Sequence, residues 1–366
     1  MTVDLDHHGD DDLDPAAGPG QLDLAVNVRL AHPPAWLQAR LAAALAGLAA
    51  YPRPAAARAA VAARHGRDPA QVLLTNGAVE AFTLLARGLR PRRAVCVHPS
   101  FTAPEAALRA AGHPVERVLL PPPFGLDPDR VPSGADLVVL GNPTNPTARL
   151  HPVEVLERLA RPGRALVVDE AFADAVAGEP ATLTSRQDLP GLVVVRSLTK
   201  TWGLAGLRVG YLLAGPELAA RLAAAQPPWP VNSLALEALV ACSQPDAVAW
   251  AGEQARRVAE WRADLAAALG QLPGVTVAPG GRAPFLLLHV RDATLVRARL
   301  RDLGIVVRRG DTFPGLGPDW LRVAVAAPEH HDRVLDGFSR SLRGSGLVRV
   351  RWPRRGGAGG RPGPGR

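Results

Sequence analysis

Lysine is almost missing from this chain: of 42 basic residues, Lys200 alone is a lysine and the others are arginines. Cysteine is equally scarce. Only Cys96 and Cys242 occur, Cys96 within the apolar run 94–97, so neither a disulfide framework nor a thiolate metal site is indicated. No apolar run reaches the roughly 18 residues of a membrane-spanning helix. The N-terminus carries Asp4, Asp6, His7, His8 and Asp10 to Asp12 rather than a positive leader before an apolar stretch. No signal peptide is therefore read, and the cytoplasm is the default expectation. Two adjacent histidines in an acidic, flexible segment would hold a metal only loosely, so no metal site is assigned. A basic stripe is also lacking. Six arginines lie in 349–366 and the rest are scattered, so the formal charge of +8 is no nucleic-acid footprint. A cavity that takes up anionic cofactors and substrates accounts for the excess at least as well.

What is present is ordinary for an enzyme. The 366 residues, 47% hydrophobic and 21% charged, suffice for a sizeable core. Residues 1–20 read as a flexible acidic segment, and 346–366, mostly Gly, Pro and Arg, as a disordered basic tail. Between them, apolar runs at 71–75, 94–98, 137–140, 165–168, 192–195 and 209–213 alternate with helical stretches. Such uninterrupted runs are expected of strands buried on both faces of a parallel sheet, hence an α/β fold. Leu37, Leu41, Leu45 and Leu48 have the spacing of one helix face. The texture changes near residue 245, where a long helix over 253–269 leads into a compact α+β unit. The expected organisation is 21–44 as the N-terminal part of a small domain, 45–245 as a large cofactor-binding domain and 246–345 as the C-terminal small domain. A ligand is expected in the cleft between them.

In an open parallel sheet, functional groups gather just past the C-terminal ends of the strands. Those exits carry Gly77, Ser100 with Phe101, Asn142 to Asn145, Asp169 with Glu170, and Ser197 to Lys200. Lys200, in a chain that otherwise uses only arginine, is suited to what a guanidinium cannot do, forming an imine with an aldehyde. The alternative is a surface lysine. Asp169, at the end of an apolar run, reads either as a helix cap or as the counter-charge that keeps a pyridine nitrogen protonated. Gly77, Ala78 and Val79 open a helix whose free N–H groups suit a phosphate, with Ser197 and Arg208 as further donors. Phe101 would lie on one face of an aromatic ring or pack in the core. Together these groups suit pyridoxal 5'-phosphate.

At this point the residues match a known pattern. Residues 196–211, reading RSLTKTWGLAGLRVGY, with Asn142-Pro143-Thr144-Asn145-Pro146-Thr147 and Val168-Asp169-Glu170-Ala171-Phe172, closely resemble the class I/II aminotransferase family. These are fold type I enzymes, with a large, mostly parallel sheet domain and a smaller α+β domain. The resemblance implies that Lys200 carries pyridoxal 5'-phosphate as an imine and shuttles protons. It implies that Asp169 pairs with the ring nitrogen, that Asn145 bonds the phenolic oxygen, and that Ala78, Val79, Ser197 and Arg208 hold the phosphate. Tyr51 is similar to the tyrosine that reaches a neighbour's cofactor phosphate across a homodimer. Arg322 is similar to the arginine that clamps a substrate carboxylate, and Arg308 to the one that reads a substrate phosphate. Asn27 and Arg29 fall in the entrance segment of these relatives. Arg29, where a second Asn is common, could enter the substrate pocket or face water.

Phe172 stands where many members have Tyr, and residues 304–317 with Trp320 and Arg322 look most like cobalamin-pathway members. The expected activity is therefore that of an aminotransferase-family enzyme of cobalamin biosynthesis, similar to threonine-phosphate decarboxylase and acting on a phosphorylated amino acid or amine, with decarboxylation and transamination both left open. The alternatives are a histidinol-phosphate or other amino-acid aminotransferase, or a non-catalytic pyridoxal-phosphate-binding protein.

Overall fold

The computed structural model describes residues 4–13, 20–28 and 30–343; Arg29 and the tail 346–366 lie outside them. In chain order the strands are β1 (Leu22–Leu24), β2 (Val72–Thr75), β3 (Ala94–His98), β4 (Val115–Leu119), β5 (Leu137–Gly141), β6 (Ala165–Asp169), β7 (Leu192–Ser197), β8 (Gly210–Ala214), β9 (Val275–Val277), β10 (Phe285–Val290), β11 (Ile305–Arg309) and β12 (Trp320–Ala324). Seven of them form a sheet in the order β2-β8-β7-β6-β5-β3-β4, parallel throughout except for β8, which runs against both neighbours.

The central strands explain why the runs are uninterrupted. Val138, Leu140, Leu166, Val168 and Val194 pack on one face, while Leu137, Val139, Val167, Val193 and Val195 pack on the other. Strict alternation with an apolar residue at every position buries both faces, at about 1.5–3 kcal/mol for each large side chain removed from water. The direction of travel along the sheet reverses between β3 and β5, which opens a crevice at their C-terminal ends.

The second sheet, β1-β11-β12-β10-β9, draws its edge strand β1 from the N-terminal part of the chain and pairs it parallel to β11. The helix Pro245–Gly270 connects the two regions. It starts eight positions earlier than the spacing suggests because Pro245, at its first turn, has no N–H to leave unpaired. Among the described residues no helix is long and apolar enough to cross a membrane.

Two local expectations need correction. The helix at Ala35–Ala44 ends before Leu45, so Leu45 and Leu48 do not continue its face, and both are half exposed. The strand Val115–Leu119 escapes a search for continuous apolar runs, because as an edge strand it exposes Glu116 and keeps Arg117 half-buried.

Candidate functional site

A cavity of about 540 Å³ opens at the crevice, within the range of small-molecule sites. Its lining gathers Asn27, Ala78, Val79, Phe101, Asn145, Asp169, Ser197, Lys200, Arg208, Arg308 and Arg322, brought from strand exits and from both sheets. Asp169 ends β6 opposite Gly141 of β5, and its Oδ1 accepts the Ala171 N–H at 3.0 Å. Phe172 also lines the cavity and packs edge-on against Phe285, with no hydroxyl to offer.

One end of the cavity is a donor-rich cradle. The helix Gly77–Leu89 begins there, and the side chain of Asn76 does not cap it. Its first-turn N–H groups are therefore left to a ligand, with the positive helix end behind them. The Ser197 and Thr199 hydroxyls lie 2.8 Å apart, and Arg208, in a left-handed conformation, bonds the Ala205 carbonyl at 3.1 Å. Gly77 does not line the cavity, but it sets the cradle's shape. At φ +76, a Cβ there would come within 2.6 Å of Arg208 Nη2. Gly77→Ala is therefore expected to push Arg208 aside and lower cofactor affinity at least about tenfold, with about 1–2 kcal/mol of added backbone strain. Equilibrium titration of the visible cofactor band checks it, and unchanged affinity would remove Arg208 from the cradle.

At the other end, Arg308 of β11 and Arg322 of β12 stand directly opposite each other, both buried. Two like charges facing across strands repel unless an anion lies between or beside them. Arg322 donates from Nη1 to Asn145 Oδ1 at 2.7 Å and from Nη2 to the Ala25 carbonyl, while its buried Nε has no partner. Because Asn145 Oδ1 is taken, its amide nitrogen is left to donate. Both polar side-chain atoms of buried Asn27 are also without partners among the described residues.

The electrostatics match the reactive pattern. Burial, and then the charges of Arg322 and Arg208, lower the Lys200 amine to about 8. Burial raises the Asp169 carboxyl to about 6, opposed by the Ala171 N–H and by Lys200. Burial, and then Arg308, lowers Arg322 to about 9, the mark of a cation short of counter-charge. An aromatic aldehyde with a phosphate and a basic ring nitrogen fits this set: orphaned donors at one end, a desolvated carboxylate, and an amine close to neutral.

Tyr51 lies outside this chain's own cavity; it is 71% exposed and stacks on Trp229. Two features depart from the sequence expectation. Thr199 joins the cavity although only Ser197, Lys200 and Arg208 of its motif were expected to; its position one residue before Lys200 is the signal that could have marked it. Residues 4–13, expected to be flexible, instead place His7, His8, Gly9 and Asp10 in the lining. The physical reason is that their acidic and carbonyl groups find buried arginines: Arg308 donates to the carbonyls of His7 and His8.

Comparison with known proteins agrees with this geometry. The family model for aminotransferase class I and II matches residues 19–337. A histidinol-phosphate aminotransferase of Mycobacterium tuberculosis is 51% identical over 322 residues, covering 87% of this chain and 86% of that protein. A threonine-phosphate decarboxylase of Salmonella typhimurium is 34% identical over 299 residues, 77% of this chain and 80% of that protein. Among solved structures, an L-threonine-O-3-phosphate decarboxylase from Porphyromonas gingivalis has a TM-score of 0.80 at 28% identity, covering 87% of this chain and 99% of that one.

Proposed function

The chain belongs to the class I and II aminotransferase family and is a pyridoxal 5'-phosphate enzyme, and from that premise we propose that it transfers the amino group of a phosphorylated amine of the histidinol-phosphate type to a keto acid. The observation that carries this is the meeting, in one cavity, of Lys200, Asp169 and Asn145 with the facing cations Arg308 and Arg322. Lys200 and Asp169 suit the cofactor, and the cations suit an anionic substrate. The relatives at 51% identity bear the name histidinol-phosphate aminotransferase, against 34% for the threonine-phosphate decarboxylase. Transamination thereby displaces the decarboxylase of cobalamin synthesis as the leading reading.

Pyridoxal phosphate, when bound, supplies an electron sink for charge released at the substrate's alpha carbon. The chain's own residues do the rest. Ala78 and Val79 N–H groups, Ser197, Thr199 and Arg208 hold the phosphate. Asp169 keeps the ring nitrogen protonated, and Asn145 donates its amide N–H to the phenolic oxygen. Phe101 covers one ring face and Phe172 leaves that oxygen with a single side-chain donor. Lys200 would hold the cofactor covalently and, once a substrate amine has taken its place there, its freed Nζ would take the alpha proton and return it. Arg322, with its free Nε, receives the carboxylate of the keto acid. Arg308 and Asn27 face the phosphate-bearing end.

The partner is a second copy of the chain. The stacked, exposed pair Tyr51 and Trp229, with exposed Leu45 and Leu48, supports that reading, in which Tyr51 serves the neighbouring cavity. Decarboxylation is the second reading, favoured by Phe172 in the place of a tyrosine. Incubation with histidinol phosphate and 2-oxoglutarate, and separately with threonine phosphate, separates the two. Glutamate formation is the expected result. Carbon dioxide release from threonine phosphate without keto-acid consumption would instead establish the decarboxylase, and inertness to both would overturn the substrate class.

A further inference from the structure

Residues 4–13 take part in an arrangement that the reaction itself does not require. Thr102 Oγ1 donates to the Leu5 carbonyl at 2.7 Å. Gly9 lies so close to Ala25 that a Cβ would come within 2.5 Å of the Ala25 oxygen. The single turn Asp10–Asp12 then carries Asp12, 1% exposed, in among the arginines of the second sheet and of the helix Ala293–Asp302. Arg297 Nη2 donates to Asp12 Oδ1 at 2.6 Å, and Arg308 Nη1 to Oδ2 at 3.3 Å. His7 Nε2 lies 3.2 Å from Oδ1, and Arg301 donates to the Asp12 carbonyl at 2.6 Å. Arg308 directs its other contacts to the carbonyls of His8, at 3.0 Å, and His7, at 2.7 Å.

A carboxylate and two carbonyl oxygens thus meet the guanidinium fork of Arg308, much as the oxygens of a phosphate would. Arg308 is 2% exposed and its ring-stacking partner Phe313 lies on the same cavity wall, so a ligand has little access to this guanidinium while the turn is in place. Asp10, on the same turn, lines the cavity as well.

We propose that residues 4–13 form an intramolecular latch: Asp12 fills the anion site of Arg308 and Arg297, and the phosphate end of a substrate must displace it to bind. The inference rests on the reading that Arg308 receives a phosphate. Its consequence is selectivity. A dianion interacts more strongly with the buried guanidinium of Arg308 and the half-buried one of Arg297 than the monoanionic Asp12 does, whereas a single substrate carboxylate has no such advantage. The latch therefore opens for phosphorylated amines and stays shut to unphosphorylated ones.

The test uses the full-length holoenzyme, in which the cofactor already fills its own phosphate cradle, with inorganic phosphate as the probe. Asp12→Asn retains the side-chain shape without its charge. Calorimetric titration should show it binding phosphate roughly tenfold to a hundredfold more tightly than the natural chain, the worth of one or two charge-assisted hydrogen bonds. Arg308→Ala should bind more weakly than either. In the natural chain, saturating phosphate should speed amide hydrogen exchange across residues 4–13. Equal affinity for the two chains, no phosphate binding by either, or phosphate that slows this exchange would each overturn the latch. The exchange experiment decides the matter alone should a variant fail to fold. Faster exchange without turnover of histidinol phosphate would sink the proposed substrate and leave the latch standing. Turnover with exchange unmoved would do the reverse.

Discussion

Lys200→Ala is expected to lose the visible absorbance of the bound cofactor and to lower turnover by at least about 10³-fold, since one change removes both the covalent attachment and the proton-transfer base. No other lysine exists in the chain to replace it. The same residue predicts a pH dependence. Burial, Arg322 and Arg208 lower its amine from the ordinary 10.5 to about 8. Only the neutral amine attacks an aldehyde, so capture of added pyridoxal phosphate by cofactor-free protein should quicken about tenfold per pH unit below that midpoint and level off above it. Stopped-flow absorbance measures the rate. A midpoint near 10.5 would show that the amine is solvated, and a yellow, active alanine variant would remove Lys200 from the site.

The second large effect is at Asp169. Asp169→Asn preserves shape and backbone contacts but removes the charge, and turnover should fall by roughly 10²- to 10⁴-fold, the scale of losing a preorganised electrostatic partner. The visible band should persist, because attachment through Lys200 does not depend on the carboxylate. That combination separates Asp169 from Lys200 by two readouts. The reason for so large an effect lies in the cost the fold already bears. Burial raises this carboxyl to about 6, and the Ala171 N–H only partly opposes it. A carboxylate held at neutral pH under that penalty stabilises a protonated ring nitrogen far more than a solvated one would. A variant within about tenfold of the natural rate would mean that the ring nitrogen needs no counter-charge here.

Much of this was legible in the residues. The runs 94–97, 137–140, 165–168 and 192–195 admit no polar residue on either side, which only a doubly covered sheet requires. Polar or special residues directly after each run then had to lie at one sheet edge. The lone Lys200 and the desolvated Asp169 mark chemistry for reasons local to the chain, namely residue type and the apolar run before them. Leu45 and Leu48 misled because periodicity reports only a shared face, not what covers it. Val115–Leu119 was passed over because an edge strand keeps charge where a central strand cannot.

The occupant of Arg308 was beyond the reach of any local reading. Asp12 and Arg308 are brought together only when β1 pairs with β11 and draws the preceding chain across the cavity. An acidic, glycine-containing stretch taken alone has too little apolar surface to offset the entropy of ordering it, so flexibility is the reasonable expectation. Buried Arg308 and half-buried Arg297, supplied from nearly 300 positions away, reverse that balance. Sequence by itself thus determined the sheet, the amine and the carboxylate, because each follows from neighbours along the chain. Tertiary structure alone decided which charges face each other in the cavity, because the Coulomb energy of a pair depends on its separation in space and on the water excluded around it.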